Sequence, residues 1–181
     1  MRLLSLFIAL LLILPASAAI VKRSGTGHAL TKAMTLSESL DLAGIIFKGK
    51  FIDSEIIQEG KTDVRVLKFS VLDPIKGVSS DKLVLKEWAQ MQTAFSTGEI
   101  EAGRPYIFMF YSPSSKGLTS LIGEEQGYID VGDEQPRFSK RMLRHERKVY
   151  AGITGALRGL GHKKASEIKS YTEFRNLAKS N

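Results

Sequence analysis

The chain has 181 residues, a formal charge of +7 and no cysteine. The missing cysteine excludes a disulfide framework and a lipid-modified N-terminal Cys, so a hydrophobic core must hold the fold. The charge is uneven: residues 19–136 carry thirteen Lys and Arg against sixteen Asp and Glu, a net −3, whereas residues 137–181 carry twelve against three, a net +9.

Arg2 precedes an apolar run from Leu3 to Leu14 that only Ser5 interrupts, and Pro15 breaks the run before Ala16, Ser17 and Ala18. A basic start, a short apolar stretch and an A-x-A site describe a cleavable signal peptide over residues 1–18. An apolar run of about a dozen residues is short of the roughly 20 needed to cross a bilayer. Export to the periplasm or beyond the cell is therefore expected, leaving 163 of the 181 residues, with no transmembrane segment after cleavage. A secreted eukaryotic domain of this size usually carries disulfides. With no Cys and no N-x-S/T sequon, the composition points to a bacterial exported protein.

Residues 19–36 read as a polar lead-in, and an ordered body is expected over residues 37–136. Its first strand runs from Gly44 to about Ile57, with Ile45, Phe47, Gly49 and Phe51 on one face and Lys48 and Lys50 on the other. A second covers Thr62 to Asp73. There the apolar parity slips from Val64 and Val66 to Leu67, Phe69 and Val71, the pattern of a β-bulge. Lys82 to Trp88 is a third strand, and the stretch from Ala89 to Gly103 has room for a short helix. Tyr106 to Tyr111 is apolar or aromatic throughout, as in a strand buried on both faces. After the loop from Ser112 to Gly117, Gly127 to Val131 completes a set of five. Five strands with a helix between the third and fourth predict a mainly β fold, a five-stranded OB-type Greek-key barrel, with an open sandwich as the competing arrangement.

The basic region 137–181 predicts helices. Phe138, Met142, His145 and Val149 fall at helical spacing among Arg141, Arg144, Arg147 and Lys148, and a second stretch from Ser166 to Ala178 aligns Ile168, Tyr171 and Phe174. Gly152, Gly155, Gly159 and Gly161 separate the two stretches. Loosely docked helices are expected.

Motifs for chemistry fail on spacing. His145–Glu146 begins like a zinc-protease helix, but Val149 stands where the second His is required. The glycines before Lys163 lack the register of a phosphate-binding loop. Ser79 with Lys82, and Ser166 with Lys169, match the spacing of serine acylases without the accompanying motifs. Glu124 and Glu125 are adjacent, so in an extended strand they face apart; they read as turn residues. No catalytic set, cofactor or metal site is read.

The runs LAGIIFKGKFIDSE, VRVLKFSVLDPIKG, LVLKEW and AGRPYIFMFY together resemble the netrin-like domain, which includes the tissue inhibitors of metalloproteinases. The matching positions are Phe47, Gly49 and Lys50, then Phe69, Val71, Leu72, Lys76 and Gly77, then Gly103, Tyr106 and Phe108. The resemblance covers about Leu42 to Tyr111 and implies an OB-type barrel. The following run KGLTSLIGEEQGYIDV resembles the ending of uncharacterised bacterial exported proteins. Those inhibitors chelate zinc through an N-terminal Cys, and this chain has none, so their mechanism is not carried over.

The expectation is an exported, non-enzymatic module that binds a protein or envelope component and no nucleic acid. The loop from Ser112 to Gly123 and its surroundings are the first candidate contact, with Lys116, Leu118 and Glu125 as its test residues. An envelope hydrolase whose site is assembled only in space is the second reading. The third is attachment to an anionic surface through Arg141, Arg144, Arg147 and Lys148. The kinship, and the binding role drawn from it, rest on the sheet from Gly44 to Val131 closing on itself.

Overall fold

Long alternating strands dominate the structure, a computed structural model that describes residues 32–151 and 163–181. The expected signal peptide, the first part of the lead-in and the glycine connector lie outside the described residues. Helix α1 (Leu36–Leu42) begins at a reciprocal cap in which Thr35 Oγ1 accepts the N–H of Glu38, and Glu38 accepts the N–H of Thr35. Strands β1 (Ala43–Glu59), β2 (Thr62–Lys76) and β3 (Lys82–Trp88) follow, then helix α2 (Ala94–Thr97) and strands β4 (Pro105–Tyr111) and β5 (Tyr128–Asp130). Helices α3 (Lys140–Ala151) and α4 (Tyr171–Ser180) end the chain.

The five strands form one antiparallel sheet in the order β3-β2-β1-β4-β5. All five predicted strands are present, with their ends shifted by a few residues. The bulge inferred between Val66 and Leu67 is not there: β2 pairs with β3 without a shift from Val64 to Ser70. Val64 and Val66 are buried on the opposite face instead. The irregularities lie elsewhere, at Ile52 in β1 and at Leu72 and Ile75 in β2 where these two strands pair, and at Gly44 where β1 pairs with β4.

Period-two alternation gives the sheet two apolar faces. One carries Phe47, Phe51, Phe69, Leu85, Phe108 and Phe110, capped by Phe95 of α2 and by Ile100. Phe69 lies at its centre, with ring centroids 5.3 Å from Phe47, 5.1 Å from Phe108 and 5.7 Å from Phe95. Such offset and edge-on aromatic packing adds to the gain from burial. The other face, with Ile46, Ile107 and Met109, is covered by α1, α3 and α4.

The predicted closed barrel is not found. Leu85 on the β3 edge and Leu121 beyond β4 share one core, so the sheet curls, yet no strand ladder joins its two edges among the described residues. One isolated parallel bridge, Lys86 with Leu118, spans the gap, and Thr119 N–H donates to the Lys86 carbonyl at 2.8 Å. Pro113 and Gly117 interrupt the chain that follows β4, and β5 is only three residues long, so neither extends a ladder to β3.

The C-terminal helices are packed into the core rather than loosely docked. Met142 and Phe174 are fully buried, and Ile168 and Tyr171 nearly so. The sheet face bearing Ile46 and Met109 has no second sheet to cover it, and the helices supply that cover. Tyr171 also donates to Asp73 of β2 at 2.7 Å, and Arg175 donates to the same carboxylate at 2.6 Å. The described residues thereby belong to one compact unit.

Candidate functional site

Helix α3 starts where Ser139 Oγ accepts the N–H of Met142 at 3.2 Å. Met142 and Glu146, one turn apart, point inward and are buried. That rotation puts Lys140, Arg144, Arg147 and Lys148 on the opposite side, all exposed. None of the four forms an ion pair among the described residues. Three of the residues expected from sequence therefore do share a face. Arg141 does not: it is half-buried and has an interaction of its own. Lys140 takes its place in the stripe; sequence reasoning missed it, although its i,i+4 spacing from Arg144 is the signal by which it is found.

The only acid in α3 is Glu146, and it offers the stripe little compensation. Its Oε1 accepts the N–H of Leu36 at 2.9 Å, and its Oε2 accepts the N–H of Ala165 at 2.8 Å. Burial pushes its carboxyl above the ordinary range, against those two hydrogen bonds and the charge of Lys164. The stripe also works against its own helix. Lys140–Arg144 and Arg144–Lys148 are like charges at i,i+4, each unfavourable by about 0.2–0.5 kcal/mol. The helix dipole acts both ways, against Lys140 in the first turn and in favour of Lys148 in the last.

The loop residues fall in separate places. Lys116 is exposed at the tip of a turn in which Gly117 N–H donates to Ser114 O at 2.8 Å. Leu118 is half-buried and forms the bridge to Lys86. Glu125 is exposed on a separate 3-10 turn, Glu124–Gln126. That turn has a structural task, because Gln126 accepts the N–H of Met34 at 2.8 Å and so anchors the end of the lead-in. No hydrogen bond or ion pair links Lys116, Leu118 and Glu125 to one another.

A buried ion pair escaped sequence reasoning. Arg65 donates to Glu87 Oε1 at 2.6 Å and to the Ala89 carbonyl at 2.9 Å, and Thr93 Oγ1 donates to the same Glu87 oxygen at 2.8 Å. Burial raises the Glu87 carboxyl, against the bonds from Arg65 and Thr93. These side chains lie on three different segments, and no short motif marks them. Among the described residues no three His, Asp or Glu side chains gather as a group that could hold a metal, and no helix is long and apolar enough to cross a membrane.

No protein-family model matches the chain, and neither does any curated protein or solved structure.

Proposed function

We propose that the chain is an exported, non-enzymatic binding module that holds to an anionic envelope surface through the exposed face of α3. The observation that carries this reading is the exposed stripe of Lys140, Arg144, Arg147 and Lys148, four cations without an ion pair among the described residues, whose i,i+4 like-charge pairs disfavour the helix bearing them. A charge pattern unfavourable to its own element is accounted for when the compensating anions come from outside. Cations near an anionic lipid surface contribute about 1 kcal/mol each.

Vesicle partition is the test. The full chain is expected to bind vesicles containing 30% phosphatidylglycerol at low salt and to leave them as salt shortens the Debye length from about 10 Å at 0.1 M to about 3 Å at 1 M. Replacing Lys140, Arg144 and Lys148 together by Gln should weaken partition roughly 100-fold, from about 1 kcal/mol per charge. Unchanged partition would end this reading. Point changes are required because removing residues 138–181 would also strip Met142, Ile168 and Phe174 from the core.

The finer description of the fold, an OB-type barrel left incompletely closed, has three supports. These are the central place of β1 between β2 and β4, the short helix between β3 and β4, and the parallel Lys86–Leu118 bridge. The netrin-like kinship depended on full closure and carries no part of the functional reading. The loop contact expected at Lys116, Leu118 and Glu125 rested on the same closure and is not carried forward.

A further inference from the structure

Two adjoining concavities open beside α3, one of about 430 Å³ and one of about 210 Å³, and Leu143 and Ser166 line both. Pro136, Phe138 and Leu143, with the buried Ala165 and Ile168 beneath, make a little over half of the larger one's lining apolar. Cations stand at both ends of the pair, Arg137 and Lys169 around the larger and Arg147 and Lys164 around the smaller. The single carboxylate along the whole trough is Glu146, whose two oxygens are engaged by the backbone N–H groups of Leu36 and Ala165.

Three of the four cations are already lightly occupied. Arg137 pairs with exposed Asp133 at 2.6 Å, Lys169 donates to the Ser166 carbonyl at 2.8 Å, and Lys164 lies 4.9 Å from the centre of the Tyr150 ring. These are surface contacts of the kind that contribute little, so an arriving anion displaces them at small cost. Arg147 has no ion pair among the described residues.

We infer that this trough binds a single-chain anionic amphiphile, its hydrocarbon tail along the partly buried Phe138 and Leu143, above Ile168, and its head group at the cationic rim. Ligand sites run from about 300 to 1,000 Å³ and combine an apolar lining with a few polar groups that orient the ligand; the trough has those proportions. A tail without amides suits it better than a peptide, because a buried amide without a hydrogen-bond partner is costly and the neutral polar side chains available are few, Gln135 and Ser166. This site goes beyond surface attachment and does not require it.

The test titrates the full chain calorimetrically with laurate, dodecanol and dodecyltrimethylammonium, each below its micellar concentration. Laurate is expected to bind at least tenfold more tightly than the other two and to shift the methyl resonances of Leu143 and Ile168. Ser166→Trp, which places a ring in both concavities, should weaken laurate at least tenfold. Lys164→Glu with Lys169→Glu should bring laurate to the level of dodecanol. Equal binding of the cationic amphiphile, or methyl shifts confined to other parts of the molecule, would overturn the inference even if the Trp variant did not fold. Phosphatidylglycerol vesicles form a separate arm. Vesicle partition without monomer binding rejects the trough and keeps the basic face, whereas monomer binding without vesicle partition does the reverse.

Discussion

Glu146 accepts the backbone N–H of Leu36 at 2.9 Å across 110 positions of sequence. With its other oxygen on Ala165, the side chain ties the start of α1 to α3 and to the segment that leads into α4. Two donors face two acceptor oxygens, and that stoichiometry decides what a substitution does.

Glu146→Gln should lower stability at neutral pH by about 1–3 kcal/mol, because the amide accepts one N–H and turns its own donor against the other. The sign of the pH dependence is set by burial, which raises the folded-state pKa. The folded protein then holds this proton more tightly than the unfolded chain, so the contribution of Glu146 declines as pH rises from its ordinary value of 4.5 through the raised one. Thermal melts across that window should show a shallower slope in the variant than in the native chain, the remainder coming from Glu87, whose carboxyl is raised in the same direction. A variant with a higher melting temperature at pH 7 would refute the two-acceptor tie.

Asp73 has the opposite sign. Burial alone would raise its carboxyl, but hydrogen bonds from Arg175 and Tyr171, with the charges of Arg175 and Lys179, hold it below the ordinary range. Its contribution is present above the ordinary value of 3.8 and is lost as pH falls through the depressed one. Because Arg175 is 36% exposed, Asp73→Asn should cost only about 1 kcal/mol or less. The readout is hydrogen exchange in α4, where faster exchange at Phe174 to Ala178 is expected at neutral pH.

Arg65→Met should destabilise the fold by roughly 3–5 kcal/mol, since it leaves Glu87 buried without its cation. Glu87 Oε2 already lacks a hydrogen-bond partner. Adding Glu87→Leu should recover most of the loss in chemical denaturation. If the double variant is no more stable than the single one, the ion pair is not what the Arg65 site depends on.

Gly77 and Gly60 both adopt left-handed backbone, with φ of 67° and 63°. A Cβ on Gly77 would lie 2.2 Å from the Gly44 carbonyl oxygen, whereas nothing lies within 4 Å of one on Gly60. Gly60→Ala should therefore cost only the backbone term, about 1–2 kcal/mol. Gly77→Ala should cost distinctly more, and equal losses in urea titrations would contradict the close approach of β2 to β1.

Much of the sheet was legible along the chain because its signal is local. Ile45, Phe47 and Phe51 alternate with Lys48 and Lys50, and they do line one face, while the unbroken apolar run from Tyr106 to Phe110 is indeed buried on both sides. The aligned Ile168, Tyr171 and Phe174 were also legible as an inward set. Helix α1 was not: at seven residues it is too short for a periodic signal, and its Thr35–Glu38 cap is the one local mark it carries. The parity slip in β2 was visible but misread, because a residue buried on the second face of a sheet looks the same in sequence as one displaced by a bulge.

Residue order by itself determined where the strands and helix α3 form, since alternation and turn residues act between neighbours a few positions apart; it did not mark α1, nor that α4 begins only at Tyr171. Tertiary structure alone decided that the β3 edge meets the chain after β4 at an isolated bridge and that the tail covers the face of Met109. It also decided that Arg141 turns aside while Lys140 joins Arg144, Arg147 and Lys148 in the open. Those outcomes depend on contacts between residues tens to a hundred positions apart, such as Glu146 with Leu36, and no local periodicity encodes which distant backbone groups a buried carboxylate will satisfy.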